Sequence, residues 1–322
     1  MLFSDKISTN KNKIQSVSVL IPTHNRDWLL KKTLDSLAQV EISTEVTLEV
    51  IVTANACTDN TLNLLIEYQK TFPYSLKFFD EIKPGANIAR NRCLQEAKGE
   101  ILAIVDDDVQ FDKEWLVGLV ESFENFSVDI VGGRILLWWE AVKPPEWLNP
   151  QLEILLSAYD LGNEVIQVDL PGPIAANLAF RRHVYEQLGF MHTGIQNKNN
   201  KINRGDEVEY LYRAKKAGFK AMYVPKALVH HWVSPNKLSS NFFKIAGLGF
   251  GNSRIYLQDK LTIFIFLKSL LGFSYLAFRY GVAMLLTQNR KNQSAYLQNL
   301  YTCMVGVGGL QGTLDRLFAK TM

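Results

Sequence analysis

Three adjacent carboxylates, Asp106, Asp107 and Asp108, stand out in this 322-residue chain as groups that could do chemistry. They directly follow an apolar run at residues 100–105, which predicts a buried strand. Open α/β sheets bind ligands at the carboxyl ends of their strands, and carboxylate oxygens suit Mg²⁺ or Mn²⁺. The cluster therefore predicts a site for a divalent cation that would hold a substrate diphosphate. The alternative is a solvated acidic loop.

Two further groups could act beside such a cation. Asp206, Glu207 and Glu209 lie where a polar loop enters a predicted helix. They either complement the helix dipole or supply a general base that deprotonates a hydroxyl. His230 and His231 follow a predicted strand and could offer an imidazole to a metal or a phosphate, although a histidine near apolar residues is usually structural. The residues alone leave both pairs of alternatives open.

The elements around these groups predict an α/β fold with an open parallel sheet and helices on its faces. Strands are predicted at 17–21, 48–53, 76–79 and 100–105, alternating with helices at 28–40, 61–70 and 88–98. Further along, strands are predicted at 129–137, 221–224 and 227–229, with helices at 183–188 and 207–217. The polar, Asn- and Lys-rich loop at 194–204 is a candidate lid over a bound substrate.

Charge is distributed unevenly along the chain. The total is +3, from 35 Lys and Arg against 32 Asp and Glu, which argues against a dedicated nucleic-acid binder. Residues 227–322 carry ten basic and two acidic residues, a net charge of +8, whereas residues 1–226 carry 25 basic and 30 acidic residues, a net charge of −5. This asymmetry indicates two different environments for the two parts of the chain.

Several common site types are absent from the sequence. The three cysteines, Cys57, Cys93 and Cys303, are far apart, as expected in a reducing compartment. Residues 1–16 are polar and are predicted to form a disordered tail without a signal peptide. Glycine patterns at 247–251 and 306–309 do not follow a strand of a βαβ unit, so they are not dinucleotide-binding motifs.

Taken together, these motifs resemble the inverting GT-A-fold glycosyltransferases of glycosyltransferase family 2. The segments that carry the resemblance are 17–26, 50–61, 84–91, 106–108, 172–181 and 205–209, followed by His231. Residues 106–108 match the family's DxD motif, and residues 205–209 resemble the segment that carries its catalytic base. No single motif is strong, but their order and spacing make the ensemble specific.

The resemblance implies a role for each matching residue. The residues implied to line the nucleotide base and ribose are Pro22, Thr23, Asn25 and Arg26. Arg90 would approach the nucleotide or its phosphates, and Asp106 the ribose or donor sugar, with Asp107 beside it. Asp108 and His231 would bind the divalent cation, and Glu207 or Asp206 would be the base. Gly172, Ala176 and Asn177 would lie on the acceptor side.

Two positions depart from the family pattern. Ala54 stands where the family usually has an Asp that contacts the base, so that Asn55 could take part of this role. Glu207 stands where the family usually has Asp, which keeps the carboxylate but lengthens its reach by one methylene.

The C-terminal part is apolar and basic. Residues 261–286 are strongly apolar, but Lys268 and Arg279 interrupt them, which favours interfacial helices on a membrane over a spanning helix. A helical subdomain packed on the core, or an oligomer interface, is the alternative. The predicted organisation is a tail at 1–16, a GT-A catalytic domain at 17–257 and a helical, membrane-associating region at 258–322.

The sequence thus predicts an inverting glycosyltransferase that uses a nucleoside-diphosphate sugar, a divalent cation (Mn²⁺ or Mg²⁺) and a saccharide or lipid-linked acceptor. It would act in cell-surface polysaccharide or glycolipid synthesis, in the cytoplasm, at the inner face of the cell membrane. The alternatives are a sugar nucleotidyltransferase and a non-catalytic sugar-nucleotide-binding relative. Nucleic acid is not an expected partner, and a homo-oligomer is an open alternative.

Overall fold

The computed structural model describes residues 13–140, 142–193, 206–257, 262–288 and 292–318. Its strands are β1 (Ser16–Thr23), β2 (Thr47–Asn55), β3 (Ser75–Glu81), β4 (Ile101–Val105), β5 (Val109–Phe111), β6 (Ile130–Trp138), β7 (Ile166–Val168), β8 (Asn177–Arg181) and β9 (Ala221–Trp232). Its helices are α1 (Asp27–Leu37), α2 (Thr61–Thr71), α3 (Ala86–Glu96), α4 (Trp115–Asn125), α5 (Pro150–Glu153), α6 (Arg182–Leu188), α7 (Asp206–Lys216), α8 (Ser240–Tyr256), α9 (Ile263–Gln288) and α10 (Gln293–Phe318).

The strands form one mixed sheet in the order β3-β2-β1-β4-β8-β6-β9-β5, with β7 also paired to β9. The four strands β3, β2, β1 and β4 are parallel, as the alternating pattern predicts. The pairs β4–β8, β6–β8, β5–β9 and β7–β9 are antiparallel. The α/β class is therefore confirmed, but parallel pairing stops at β4, because β8 runs opposite to it. The sheet is less parallel than the prediction of a mostly parallel sheet.

Burial explains why the first strands read as continuous apolar runs. In β1 the side chains of Val17, Val19, Leu20 and Ile21 are fully buried, because helices cover both faces of this part of the sheet. The core continues beneath α4, which was not predicted and whose Trp115 is fully buried. The carboxyl ends of β1, β2 and β4 consequently meet at one edge of a rigid sheet.

The segment predicted as two short strands is one strand, β9. Pro225 interrupts the sequence pattern but not the strand, because β7 pairs with residues 221–223 and β5 with residues 229–231. Pro225 lies between these two registers, so its missing N–H interrupts neither the β7–β9 nor the β5–β9 pairing. As a result, His230 and His231 lie within β9 and do not follow it.

The chain divides into two compact units. One comprises residues 1–136, 159–190 and 213–231, and contains most of the sheet. The other comprises residues 137–158, 191–212 and 232–322, and contains α8, α9 and α10. The predicted domain limits at residues 16 and 257 stay predictions.

Glycines set the packing of α8 against α10. A Cβ on Gly251 would lie 2.1 Å from the carbonyl oxygen of Val305, and one on Gly308 would lie 2.1 Å from that of Leu248. Only glycine allows two helix backbones to approach so closely. The glycine patterns at 247–251 and 306–309, which are not dinucleotide-binding motifs, thus contain glycines that allow α8 and α10 to pack closely.

Among the described helices, α9 is long and apolar enough to cross a membrane. It is one continuous helix of 26 residues, where several interfacial helices were predicted. Length and composition alone do not distinguish a span from another kind of apolar helix, so membrane association stays a prediction.

Candidate active site

Three potential metal ligands converge at the carboxyl edge of the sheet. Asp106 and Asp108 follow β4, while β9 pairs with β5 and aligns His231 with Val109. One ligand atom from each of Asp106, Asp108 and His231 lies within 4.8 Å of the others. The Asp108 and His231 side chains are only 4% and 2% exposed, and Nε2 of His231 is 3.3 Å from Oδ1 of Asp108.

This donor set fits a divalent cation. Carboxylate oxygens suit Mg²⁺ and Mn²⁺, and an imidazole nitrogen adds a ligand that first-row transition metals accept readily. Sequence reasoning therefore named three residues, Asp106, Asp108 and His231, that the fold brings together, although it assigned Asp106 to the sugar.

Arg26 links Asp107 and Asp108, two of the three carboxylates in residues 106–108, the acidic turn. Its Nη1 lies 3.0 Å from Oδ1 of Asp107 and 3.0 Å from Oδ2 of Asp108. Burial opposes the charge on Arg26, but the neighbouring carboxylates outweigh it and raise the pKa of the guanidinium. Arg26 therefore stays charged and offsets part of the repulsion among the three aspartates.

Asp107 is buried and organises the turn from within. Burial raises the pKa of its carboxyl group to about 6, while Arg26 and a hydrogen bond from Thr23 Oγ1, 2.6 Å long, work in the opposite direction. The Thr33 hydroxyl lies 2.9 Å from the carbonyl of Asp107 and 2.8 Å from that of Val109, and it accepts a hydrogen bond from the Val109 N–H. Sequence reasoning missed Thr33. The feature that could have revealed it is a polar residue on the otherwise apolar, buried face of α1.

A cleft of about 450 Å³ opens beside the acidic turn. It is lined by Pro22, Thr23, His24, Arg26, Asn55, Pro84, Gly85, Ala86, Ala89, Arg90, Asp106 and Asp107. Seven of the predicted nucleotide-binding residues are in this lining. The other five lining residues are His24, Pro84, Gly85, Ala86 and Ala89. Nη2 of Arg90 lies 3.7 Å from Oδ1 of Asp106. The positively charged guanidinium group of Arg90 therefore lies at the wall of the cleft.

Asn55 shapes the cleft through its amide. Its Nδ2 donates to the carbonyls of Glu81 and Lys83, at 3.2 and 2.7 Å, and its Oδ1 accepts from the N–H of Gly85 at 2.7 Å. Gly85 has a φ of 149°, which favours glycine. Asn55 thus fixes the loop of residues 81–85, where sequence reasoning gave it a contact with the nucleotide base.

Two neighbouring residues join the loops after β1 and β2. Nδ1 of His24 lies 2.6 Å from the carbonyl oxygen of Asn55 and must donate to it. Asn25, with a φ of 52°, accepts a hydrogen bond from the Thr58 N–H through Oδ1 at 2.7 Å. Asn25 is not in the cleft lining, so its predicted nucleotide contact stays a prediction.

The predicted acceptor-side residues lie in or near the core. Asn177 donates through Nδ2 to the carbonyls of Ala227 and Arg134 and accepts through Oδ1 from Trp115 Nε1. Ala176 is buried, and a Cβ on Gly172 would lie 2.6 Å from the carbonyl oxygen of Asp169. Asn177 therefore fixes the start of β8, and the predicted contacts of Gly172, Ala176 and Asn177 with an acceptor stay predictions.

The predicted base lies at the start of α7. Glu207 is half-buried in the first turn, and Oε1 of the buried Glu209 lies 3.5 Å from Nδ1 of His192. The Asp206 side chain and the predicted lid at 194–204 lie outside the described residues. The base assignment and the lid stay predictions.

Comparison with known proteins identifies a family relationship. The family model for "Glycosyl transferase family 2" matches residues 18–189. Glycosyltransferase AglE of Haloferax volcanii is 23% identical over 253 residues, which is 77% of this chain and 76% of that protein. The succinoglycan biosynthesis protein ExoM of Rhizobium meliloti is 23% identical over 228 residues, which is 71% of this chain and 70% of that protein.

A solved structure supports the fold assignment. The mannosyltransferase PcManGT of Pyrobaculum calidifontis, in complex with GDP-Man and Mn²⁺, matches with a TM-score of 0.62. It is 18% identical, and the match covers 91% of this chain and 86% of that one. The predicted GT-A fold is confirmed by this likeness.

Proposed function

The chain belongs to glycosyl transferase family 2, and from that premise we propose that it transfers a sugar from a nucleoside-diphosphate sugar to a saccharide or lipid-linked acceptor. The observation that carries this proposal is the group of Asp106, Asp108 and His231, of which Asp108 and His231 are buried, beside an open cleft. A cleft of this size falls within the range of ligand sites, and its end at the acidic turn suits a diphosphate and its counterion.

The donor would lie along the edge of the sheet. The diphosphate would occupy the end near Asp106, and the nucleoside would extend toward Asn55 and Gly85, two strands away in the order β4-β1-β2. The PcManGT complex with GDP-Man and Mn²⁺ supports this choice of ligand class.

The reaction would be a single displacement that inverts the anomeric centre. Asp106, Asp108 and His231 would hold Mn²⁺ or Mg²⁺, which when bound supplies positive charge to the leaving diphosphate. Arg26 and Arg90 would add fixed positive charge at the same end of the cleft. Glu207, or Asp206 beside it, would take the proton of the acceptor hydroxyl.

The product would be a polysaccharide or glycolipid made in the cytoplasm at the inner face of the cell membrane. The name of one relative, the succinoglycan biosynthesis protein ExoM, supports a biosynthetic role. The basic, apolar C-terminal helices support the location.

A panel of nucleotide sugars, incubated with the purified chain and Mn²⁺, tests the proposal. We expect release of a free nucleoside diphosphate from at least one donor, and much less after Asp108→Asn. Release of pyrophosphate from a sugar phosphate and a nucleoside triphosphate would indicate a nucleotidyltransferase instead. Donor binding with no release in the presence of acceptor extracts would indicate a non-catalytic relative.

The base assignment has a separate test. Glu207→Gln removes the carboxylate with little change in shape, and Asp206→Asn does the same at the neighbouring position. We expect one of the two variants to lose about 10²–10⁴-fold in kcat while donor affinity stays unchanged. Near-normal turnover in both variants would overturn the base assignment without affecting the donor site.

A further inference from the structure

One face of α9 carries a line of large apolar side chains in contact with solvent. Phe264, Leu267, Leu271, Phe278 and Leu285 are between 49% and 76% exposed. At 3.6 residues per turn these positions fall within roughly 60° around the helix axis. We call these five residues the α9 stripe. A continuous stripe of this kind marks an interaction surface, since single exposed apolar residues would be scattered.

The opposite face of α9 is already occupied by α10. A Cβ on Gly306 would lie 2.5 Å from the backbone nitrogen of Ala277, and one on Gly309 would lie 2.3 Å from the ring of Phe273. The Cys303 thiol donates a hydrogen bond to the carbonyl of Ala277. Because Phe273 and Ala277 on this side of α9 pack closely against α10, the α9 stripe faces away from α10.

Two cations border the stripe on one side. Lys268 and Arg279 are exposed, and their 11-residue spacing places them about 16 Å apart along the axis and within roughly 20° of each other. Tyr275, also exposed, lies between the α9 stripe and these two cations in angle, and it accepts a hydrogen bond from Arg279 Nη1 at 2.7 Å. The helix therefore presents an apolar surface with a cationic border and a tyrosine at the boundary.

This arrangement does not suit a lone spanning helix. In a helix of 26 residues, Lys268 and Arg279 lie about 11 and 5 Å from the midpoint, inside a hydrocarbon core that is ~30 Å thick. Both would face lipid, where a charge is costly. If the helix lies parallel to the bilayer, the same cations reach the headgroups while the stripe enters the acyl region.

We infer that α9 lies in the plane of an anionic membrane leaflet, with the α9 stripe embedded and with Lys268 and Arg279 against lipid phosphates. The occupant is a bilayer because the cationic border complements anionic headgroups and because residues 227–322 carry a net charge of +8. The inference deepens the location given in the proposed function. It does not depend on catalysis, so each can fail without the other.

Flotation of the full chain with vesicles tests the surface. We expect binding to vesicles of phosphatidylglycerol and phosphatidylcholine, and weaker binding to pure phosphatidylcholine. Lys268→Gln and Arg279→Gln should each lower the binding about fivefold, the equivalent of ~1 kcal/mol for one cation at an anionic surface. Leu271→Ser with Phe278→Ser should abolish it. Lys70→Gln and Ile82→Ser, which change an exposed cation and an exposed apolar residue elsewhere, should leave it unchanged.

Labelling of introduced cysteines tests the orientation. In inside-out vesicles from expressing cells, Thr262→Cys and Gln288→Cys should both react with a membrane-impermeant maleimide before detergent is added, over the background of the parent chain. If one of them reacts only after detergent, α9 spans the bilayer and the inference is wrong. A chain that stays in the vesicle-free fraction as a dimer would also overturn it, because a second copy would then cover the stripe.

Discussion

Nε2 of His231 lies 3.3 Å from Oδ1 of Asp108, and both side chains are almost fully buried. The contact depends on the antiparallel pairing of β9 with β5, which aligns His231 with the residue directly after Asp108. A late strand thus completes a site that begins at the end of β4. This relationship makes the acidic turn a candidate metal centre and sets it apart from a solvated loop.

His231→Ala should weaken Mn²⁺ binding by at least about tenfold, because it removes the nitrogen ligand from the proposed set. The matched control is His230→Ala, since alternate residues of a strand point to opposite faces and His230 therefore points away from Asp108. Electron paramagnetic resonance of free Mn²⁺ during titration measures the effect. Equal Mn²⁺ affinity in the His231 variant and the wild type would remove His231 from the site.

Thr23→Val should lower the free energy of unfolding by about 1–2 kcal/mol, because it deprives the buried Asp107 carboxylate of a hydrogen bond with little change in shape. Urea denaturation in the absence of divalent cations isolates this contact from metal binding. Thr58→Val, which alters an exposed hydroxyl, is the control. A Thr23 variant as stable as the wild type would show that Arg26 alone holds Asp107.

Asn55→Ala should raise the KM for the donor about tenfold or more and change kcat much less, because the loop of residues 81–85 loses three hydrogen bonds. The loop lines the cleft at the end away from the acidic turn. Asn63→Ala on the exposed side of α2 is the control. If kcat falls and KM does not change, Asn55 acts on the chemical step and not on the shape of the cleft.

Glu49→Gln should destabilise the fold near neutral pH, with an effect that shrinks in acid. Burial acts to raise the pKa of Glu49, but hydrogen bonds from Ser18 Oγ, the Lys98 N–H and Lys77 Nζ outweigh it and hold the pKa below its usual value. A depressed pKa in the folded state contributes stability above the unfolded pKa, about 4.3, and loses it as the pH falls through the folded pKa.

Thermal unfolding of the wild type and of Glu49→Gln between about pH 3 and 7 measures this difference. Glu67→Gln, at an exposed carboxylate, should behave like the wild type. A constant gap in Tm between wild type and Glu49→Gln across this range would contradict the depressed pKa.

Local sequence pattern was sufficient for the first half of the fold. The first four strands and three helices are close to their predicted positions. The strands β1, β2 and β4 are almost entirely buried and read as apolar runs, whereas β3, at the edge of the sheet, is only partly buried. The elements β5 and α4 were not predicted. For β5 the reason is its length, because it has only three residues and directly follows the acidic turn. A strand this short is defined by its partner β9, which no local pattern reveals.

In the candidate site, too, some residues could be predicted from local sequence and others depend on distant parts of the chain. Asp106 and Asp108 could be predicted because they follow an apolar run. The residues alone indicated either His230 or His231 as a possible ligand, and the family resemblance selected His231. The roles of Asn55 and Asn177 could not be predicted, because an amide that is bonded to distant carbonyls has the same sequence signal as one that faces a ligand. Thr33 was missed for a similar reason, since its contact with the acidic turn depends on how α1 packs.

Titration calorimetry of a nucleoside diphosphate tests the central claim most directly. UDP and GDP would each be titrated into the wild type and into Asp108→Asn, with Mn²⁺ and with a chelator. We predict that at least one nucleotide binds the wild type with Mn²⁺, and that its affinity falls at least about tenfold with the chelator or in the variant. Binding that is equally tight in all four conditions, or absent in all of them, would contradict a metal-dependent donor site at Asp106, Asp108 and His231.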